Sequence, residues 1–113
     1  MQAQLVSEGV LRQLTIQIGE PNLRILVDKV QRDVPLLWQQ LNHAVEEKDV
    51  SAMLRSTHTL ASVLKSVGLI TIGREMSMAE TDLRNGKPIT SERLQQLKHA
   101  QDQAMMELYS RVN

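Results

Sequence analysis

Cysteine is missing from this 113-residue chain, which excludes a disulfide framework and any thiolate metal site. Phenylalanine is missing too, and the aromatic set comes down to one Trp and one Tyr. β-Proteins draw on aromatic and β-branched residues, so this poverty argues against a sheet. Neither sign of charge is in excess: Lys plus Arg and Asp plus Glu number 13 each, which leaves a net charge of zero. A neutral chain lacks the basic footprint of a nucleic-acid binder. No apolar run approaches the roughly 20 residues that a membrane helix needs, so no membrane contact is expected. The opening MQAQLVSEGV has no basic stretch followed by an apolar one, so no signal peptide is expected and a cytoplasmic location is. Three prolines and five glycines leave few places for the chain to break.

What is present is Leu, Met, Ala and Gln, all good helix formers. The length suits one domain, residues 1–113, and a chain of this size can bury roughly two-thirds of its unfolded surface. The breaks fall at Gly19-Glu20-Pro21, at Gly68 and at Asn85-Gly86-Lys87-Pro88. Between them apolar residues recur at helical spacing. Helices are predicted at about 4–18, 21–47, 50–68, 71–85 and 91–112. The second carries the longest stripe: Leu23, Leu26, Val27, Val30, Val34, Leu37, Leu41 and Ala44. Pro21 suits its first turn, whereas Pro35 is expected to kink it or mark a junction. Asp49 is placed to cap the third helix, and Thr90 or Ser91 the fifth. Gly86 supplies a left-handed stop for the fourth. Met76, Met78, Met105 and Met106 read as core filler, and Trp38 as packed at a bundle edge. The expected fold is all-α: an antiparallel four-helix bundle, with a short additional N-terminal helix across one end.

No glycine-rich phosphate loop and no zinc-binding His/Glu helix motif is present. The core stripes hold no histidine or carboxylate, so an inward-facing metal site is not expected. The histidines are His43, His58 and His99. On a wheel of about 100° per residue centred on Leu60, the residues Met53, Thr57, Leu64 and Val67 cluster on the core side. His58 falls about 160° away, facing out. The same wheel puts Leu54, Arg55, Ala61, Ser62, Lys65 and Leu69 with it. Small neighbours leave the ring open, Arg55 and Lys65 bring positive charge, and Leu54 and Leu69 offer apolar surface to a partner. Such a set suits a histidine that carries a phosphoryl group, because imidazole is a competent nucleophile near neutral pH. Cations stabilise the oxygens of a transferring phosphoryl group. A solvated helix face is the plainer reading of the same residues. His43 and His99 read as surface residues.

The run Thr57-His58-Thr59-Leu60-Ala61-Ser62-Val63-Leu64-Lys65-Ser66-Val67-Gly68-Leu69 resembles the phosphorylation motif of histidine-containing phosphotransfer domains, approximately A-H-x-L-K-G-[SA]-x-x-x-[LIVF]-G. His58, Leu60, Val67 and Gly68 fall on its defining positions. Val10-Leu11-Arg12-Gln13-Leu14 with Gly19 is similar to the family's opening helix. Asp33-Val34-Pro35-Leu36-Leu37, then Leu41 and Ala44, is similar to its D-x-P-x-L-x-x-L-x-x-A stretch. Ala79-Glu80 with Leu83-Arg84-Asn85-Gly86 is similar to its L-E-x-x-x-[KR]-x-G ending.

The resemblance implies a four-helix bundle that takes a phosphoryl group from a receiver-domain aspartate and passes it to a response regulator. His58 would be phosphorylated on Nε2, with Glu80 and Arg84 beside it and Glu80 accepting from Nδ1–H. Such a chain is a phosphocarrier rather than an enzyme and needs no cofactor of its own, since Mg²⁺ belongs to the receiver. Its partners would be receiver domains and a hybrid sensor kinase, met by a monomer; whether the chain stands free or belongs to such a kinase is left open. One position departs from the pattern. Ala61 replaces the family's lysine, while Ser62 replaces a glycine and is small enough to be harmless. Lys65, about 40° round the helix from Ala61, could reach back to supply the charge. A member lacking that charge would dock a receiver or kinase as an adaptor without being phosphorylated.

Overall fold

Five helices account for nearly all of residues 5–112, the part of the chain that the computed structural model describes: α1 (Glu8–Ile18), α2 (Glu20–Glu46), α3 (Val50–Ser66), α4 (Ile70–Arg84) and α5 (Ser91–Val112). No strand occurs among the described residues. The predicted fold class therefore holds, with small shifts at the ends. Residue 4, where the first helix was expected to begin, lies outside the described residues; Leu5, Val6 and Ser7 precede α1 as non-helical chain. Ser7 caps that helix by accepting from the Val10 amide. Asp49 caps α3 through the Ala52 amide, and Thr90 rather than Ser91 caps α5 through the Arg93 amide. The third helix stops two residues earlier than expected, because Val67 and Gly68 form the turn into α4 and Gly68 adopts a φ of 87°.

Contacts run α2 to α3, α3 to α4, α4 to α5 and α5 back to α2, which closes a ring of four antiparallel helices. The apolar stripes meet inside it: Val27, Val34, Leu41, Leu60, Leu64, Met76, Ala79 and Leu108 are all fully or almost fully buried. One end of the bundle gathers the start of α2, the α3–α4 turn and the end of α5, and α1 lies there. The Ser7 amide donates to the Gly68 carbonyl at 2.8 Å, and Glu8 pairs with Arg111 near the end of α5. A single residue, Gly19, separates α1 from α2.

Trp38 is packed, at 4% exposure, four residues after Val34 and three before Leu41 on the same stripe, with the Lys98 ammonium 6.0 Å from its ring centre. Two expectations need correction. Pro35 marks no junction in the second helix: α2 runs through it, with the ring on the exposed side, where the lost amide donor is tolerated. Of the four methionines read as core filler, Met76 is buried and Met105 half-buried, but Met78 and Met106 are exposed.

Candidate functional site

α3 and α4 pack along each other, and the site lies on the outer edge of that pair. His58 stands mid-way along α3 with 67% of its side chain exposed. Its Nδ1 is 3.3 Å from Oε1 of Glu80 on α4. Glu80 follows Met76 by four residues and precedes Leu83 by three, which puts it on the flank of the α4 core stripe. It is accordingly buried, at 7% exposure. A buried carboxylate is costly without partners. This one has two: the imidazole across the helix pair, and Arg84 one turn along α4, whose Nη2 donates to Oε2 at 2.7 Å. Paired with a guanidinium, the carboxylate acts only as an acceptor, so the proton in the contact with His58 belongs to Nδ1. In the neutral ring that tautomer leaves the lone pair on Nε2, at the exposed edge of the side chain.

Around this centre the sequence-predicted residues separate. Ser62 and Arg55 are exposed, and Leu54 is half-buried. Lys65 is half-buried, and its Nζ donates to Ser77 Oγ on α4 at 2.8 Å. Arg84 is an exposed guanidinium fastened to Glu80. Ala61 and Leu69, expected to face a partner, do not: Ala61 is 3% exposed and Leu69 fully buried. Ala61 lies on the side of α3 that α4 covers. Leu69 lies beyond the end of α3, on the far side of the left-handed Gly68, where a wheel for α3 no longer gives its direction. His43 and His99 are exposed, and neither contacts the carboxylate of Glu80. Glu80, expected beside His58, is there and is buried at the edge of the core, and Ser77 was not foreseen. Its position three residues before Glu80, on one face of α4, was the available signal.

The family model of the Hpt domain matches residues 25–107, which spans α3 and α4 whole and most of α2 and α5. The chain belongs to the Hpt domain family. Hpt domains serve histidine phosphotransfer in two-component phosphorelays; they are phosphocarriers, not enzymes, and they interact with receiver domains and kinases. No curated protein and no solved structure matches the chain. Among the described residues of this Hpt domain, no helix is long and apolar enough to cross a membrane, and no group of three or more acidic or histidine side chains is placed to hold a metal. α1 and the turn of α2 that follows it lie outside the family match.

Proposed function

We propose that His58 of this Hpt domain accepts a phosphoryl group from a receiver-domain aspartate and passes it to a response regulator. The observation that carries this reading is the exposed imidazole whose Nδ1 rests on a buried carboxylate, with Nε2 free. In the forward step the Nε2 lone pair attacks the phosphorus of the aspartyl phosphate. An N–P bond forms, the P–O bond to aspartate breaks, and the carboxylate leaves with the bonding pair. No proton has to move. Nδ1–H stays in place, and the Glu80 carboxylate faces the positive charge that the ring gains. The return step reverses these changes on a second receiver. Lys65 and Arg84 are the nearby cations for the phosphoryl oxygens, and Ser62 leaves room for the group. Mg²⁺ for the reaction would come with the receiver, a hybrid sensor kinase would be the upstream donor, and the domain would act as a cytoplasmic monomer. The partner would dock around His58 against Leu54 and Arg55, a smaller apolar patch than one including Leu69.

Incubation with a phosphorylated receiver tests this. The chain should acquire acid-labile, base-stable phosphate, and His58→Gln should take up none while keeping its helical circular dichroism, since the side chain lies outside the core. Uptake that survives the substitution overturns the assignment. The adaptor reading, favoured by Ala61 in place of the family's lysine, predicts that the unaltered chain binds the receiver and gains no phosphate.

A further inference from the structure

Gly73 sits inside α4, where glycine weakens a helix relative to alanine. Its backbone is helical, so no unusual dihedral calls for it. Space does. A Cβ at this position would stand 2.5 Å from Lys65 Cγ and 3.3 Å from Lys65 Cε, against 3.4 Å from the Ala61 carbonyl oxygen. The last is an ordinary contact, so the backbone of α3 does not forbid a side chain at 73. The lysine stem does. Lys65 lies across α4 in the groove that a side chain at 73 would fill, and its Nζ reaches Ser77 Oγ, one turn further along the helix. Another three residues on is Glu80, which holds His58. Because α3 and α4 are antiparallel, the path from Gly73 through Ser77 to Glu80 leads up the cleft towards the histidine.

We infer that Gly73 is a positioning residue for phosphotransfer: the groove left by its missing side chain lays Lys65 along the α3–α4 cleft, with its ammonium resting on Ser77 about one helical turn from the carboxylate of the histidine site. The inference rests on the reading of His58 as the phosphorylated residue. It also accounts for the alanine at 61, since the cation the family places there arrives from four residues later by another route. Ser77 is a neutral acceptor, and a hydrogen bond charged on both sides is stronger than one charged on one side. The ammonium therefore leaves the hydroxyl for the phosphoryl oxygens once His58 is loaded.

Gly73→Ala, Lys65→Ala and the double substitution, each treated with phosphoramidate as a small phosphoryl donor, test this without a receiver. Phosphate uptake at His58 should fall about tenfold in either single variant, as for loss of a charged contact to a transferring group. The double variant should be no slower than the slower single one, because both changes remove the same cation. Gly73→Ala should melt no lower than the unaltered chain, since alanine is the better helix former and the lysine can swing out to solvent. Lys65→Arg should restore uptake where Lys65→Ala loses it. In the unphosphorylated chain, proton Overhauser contacts should join the Lys65 methylenes to the Gly73 α-protons and vanish in Gly73→Ala. Missing contacts in the unaltered chain, normal uptake by Lys65→Ala or Gly73→Ala, or additive losses in the double variant would each overturn the positioning role. If the unaltered chain gains phosphate at His58 and these variants match it, this inference fails and the phosphocarrier reading stands. If the unaltered chain gains none, both fail.

Discussion

Glu80 holds a carboxylate in the flank of the core and divides its two oxygens between an imidazole and a guanidinium. Glu80→Gln keeps the shape and one acceptor but removes the charge. Hydrogen bonds to charged groups are worth about 1 kcal/mol more than neutral ones, and about 1.4 kcal/mol is a factor of ten in rate. Transfer from a phosphorylated receiver should therefore slow by roughly fivefold, because the phosphorylated ring loses its counter-charge. The melting temperature should change little, since the Arg84 head is mostly exposed and water can take over its solvation. A variant that transfers at the unaltered rate would show that the carboxylate only orients the ring. The reach of sequence reasoning at this scale follows from geometry. His58 was legible because a helical wheel holds well inside α3. Glu80 became visible only through motif spacing, and its burial did not, because a wheel drawn on one helix ignores the helix packed beside it. The same blindness put Ala61 on the outside.

Between helices, the turn residues carry most of the information. Gly19 alone joins α1 to α2, at φ 84° and ψ 158°, a region essentially closed to residues with a Cβ. A Cβ there would meet nothing closer than 3.9 Å, so the cost of Gly19→Ala is backbone strain rather than a clash. It should amount to about 1–3 kcal/mol, read as a lower denaturant midpoint with an unchanged slope. No loss of stability would mean that the joint relaxes into another conformation. Helix interiors were legible from their stripes to within a residue or two at most ends, and the Asp49 cap from its residue type. Two features were not. Pro35 looks like a break in one dimension, yet α2 continues through it, because its ring and the carbonyl that loses a donor lie on the exposed side of a long, well-packed helix. The early end of α3 follows from Gly68, whose carbonyl takes the Ser7 amide from a segment 61 residues earlier in the chain, a contact that no local pattern contains.

As a whole the bundle was readable because four amphipathic segments with short connections have few ways to bury their stripes. The place of α1 across one end was expected as well, but the contacts that fasten it there were not, since they depend on the far ends of α3 and α5. Besides the backbone hydrogen bond from Ser7 to Gly68, two kinds of side-chain contact hold it there, and their magnitudes differ. Glu8, Arg111 and Glu107 form an ion-pair chain between α1 and α5, but these side chains are 40–50% exposed. Exposed pairs contribute about 0–1 kcal/mol and less as salt rises. Val6 is 2% exposed and Leu11 is 8% exposed. Replacing Val6 by Ala removes two buried methyl-sized groups at about 0.8 kcal/mol each, before the cost of the cavity. Val6→Ala should therefore destabilise the domain by about 2 kcal/mol, against under about 1 kcal/mol for Arg111→Ala. Both residues lie outside the family match, so neither change touches the histidine site, and phosphate uptake at a temperature where the variants remain folded should be unaltered in both. Urea titrations of the two variants at low and high salt decide between the contacts. An Arg111→Ala loss that exceeds that of Val6→Ala and shrinks with salt would mean that charge, not burial, fastens α1 to the end of the bundle.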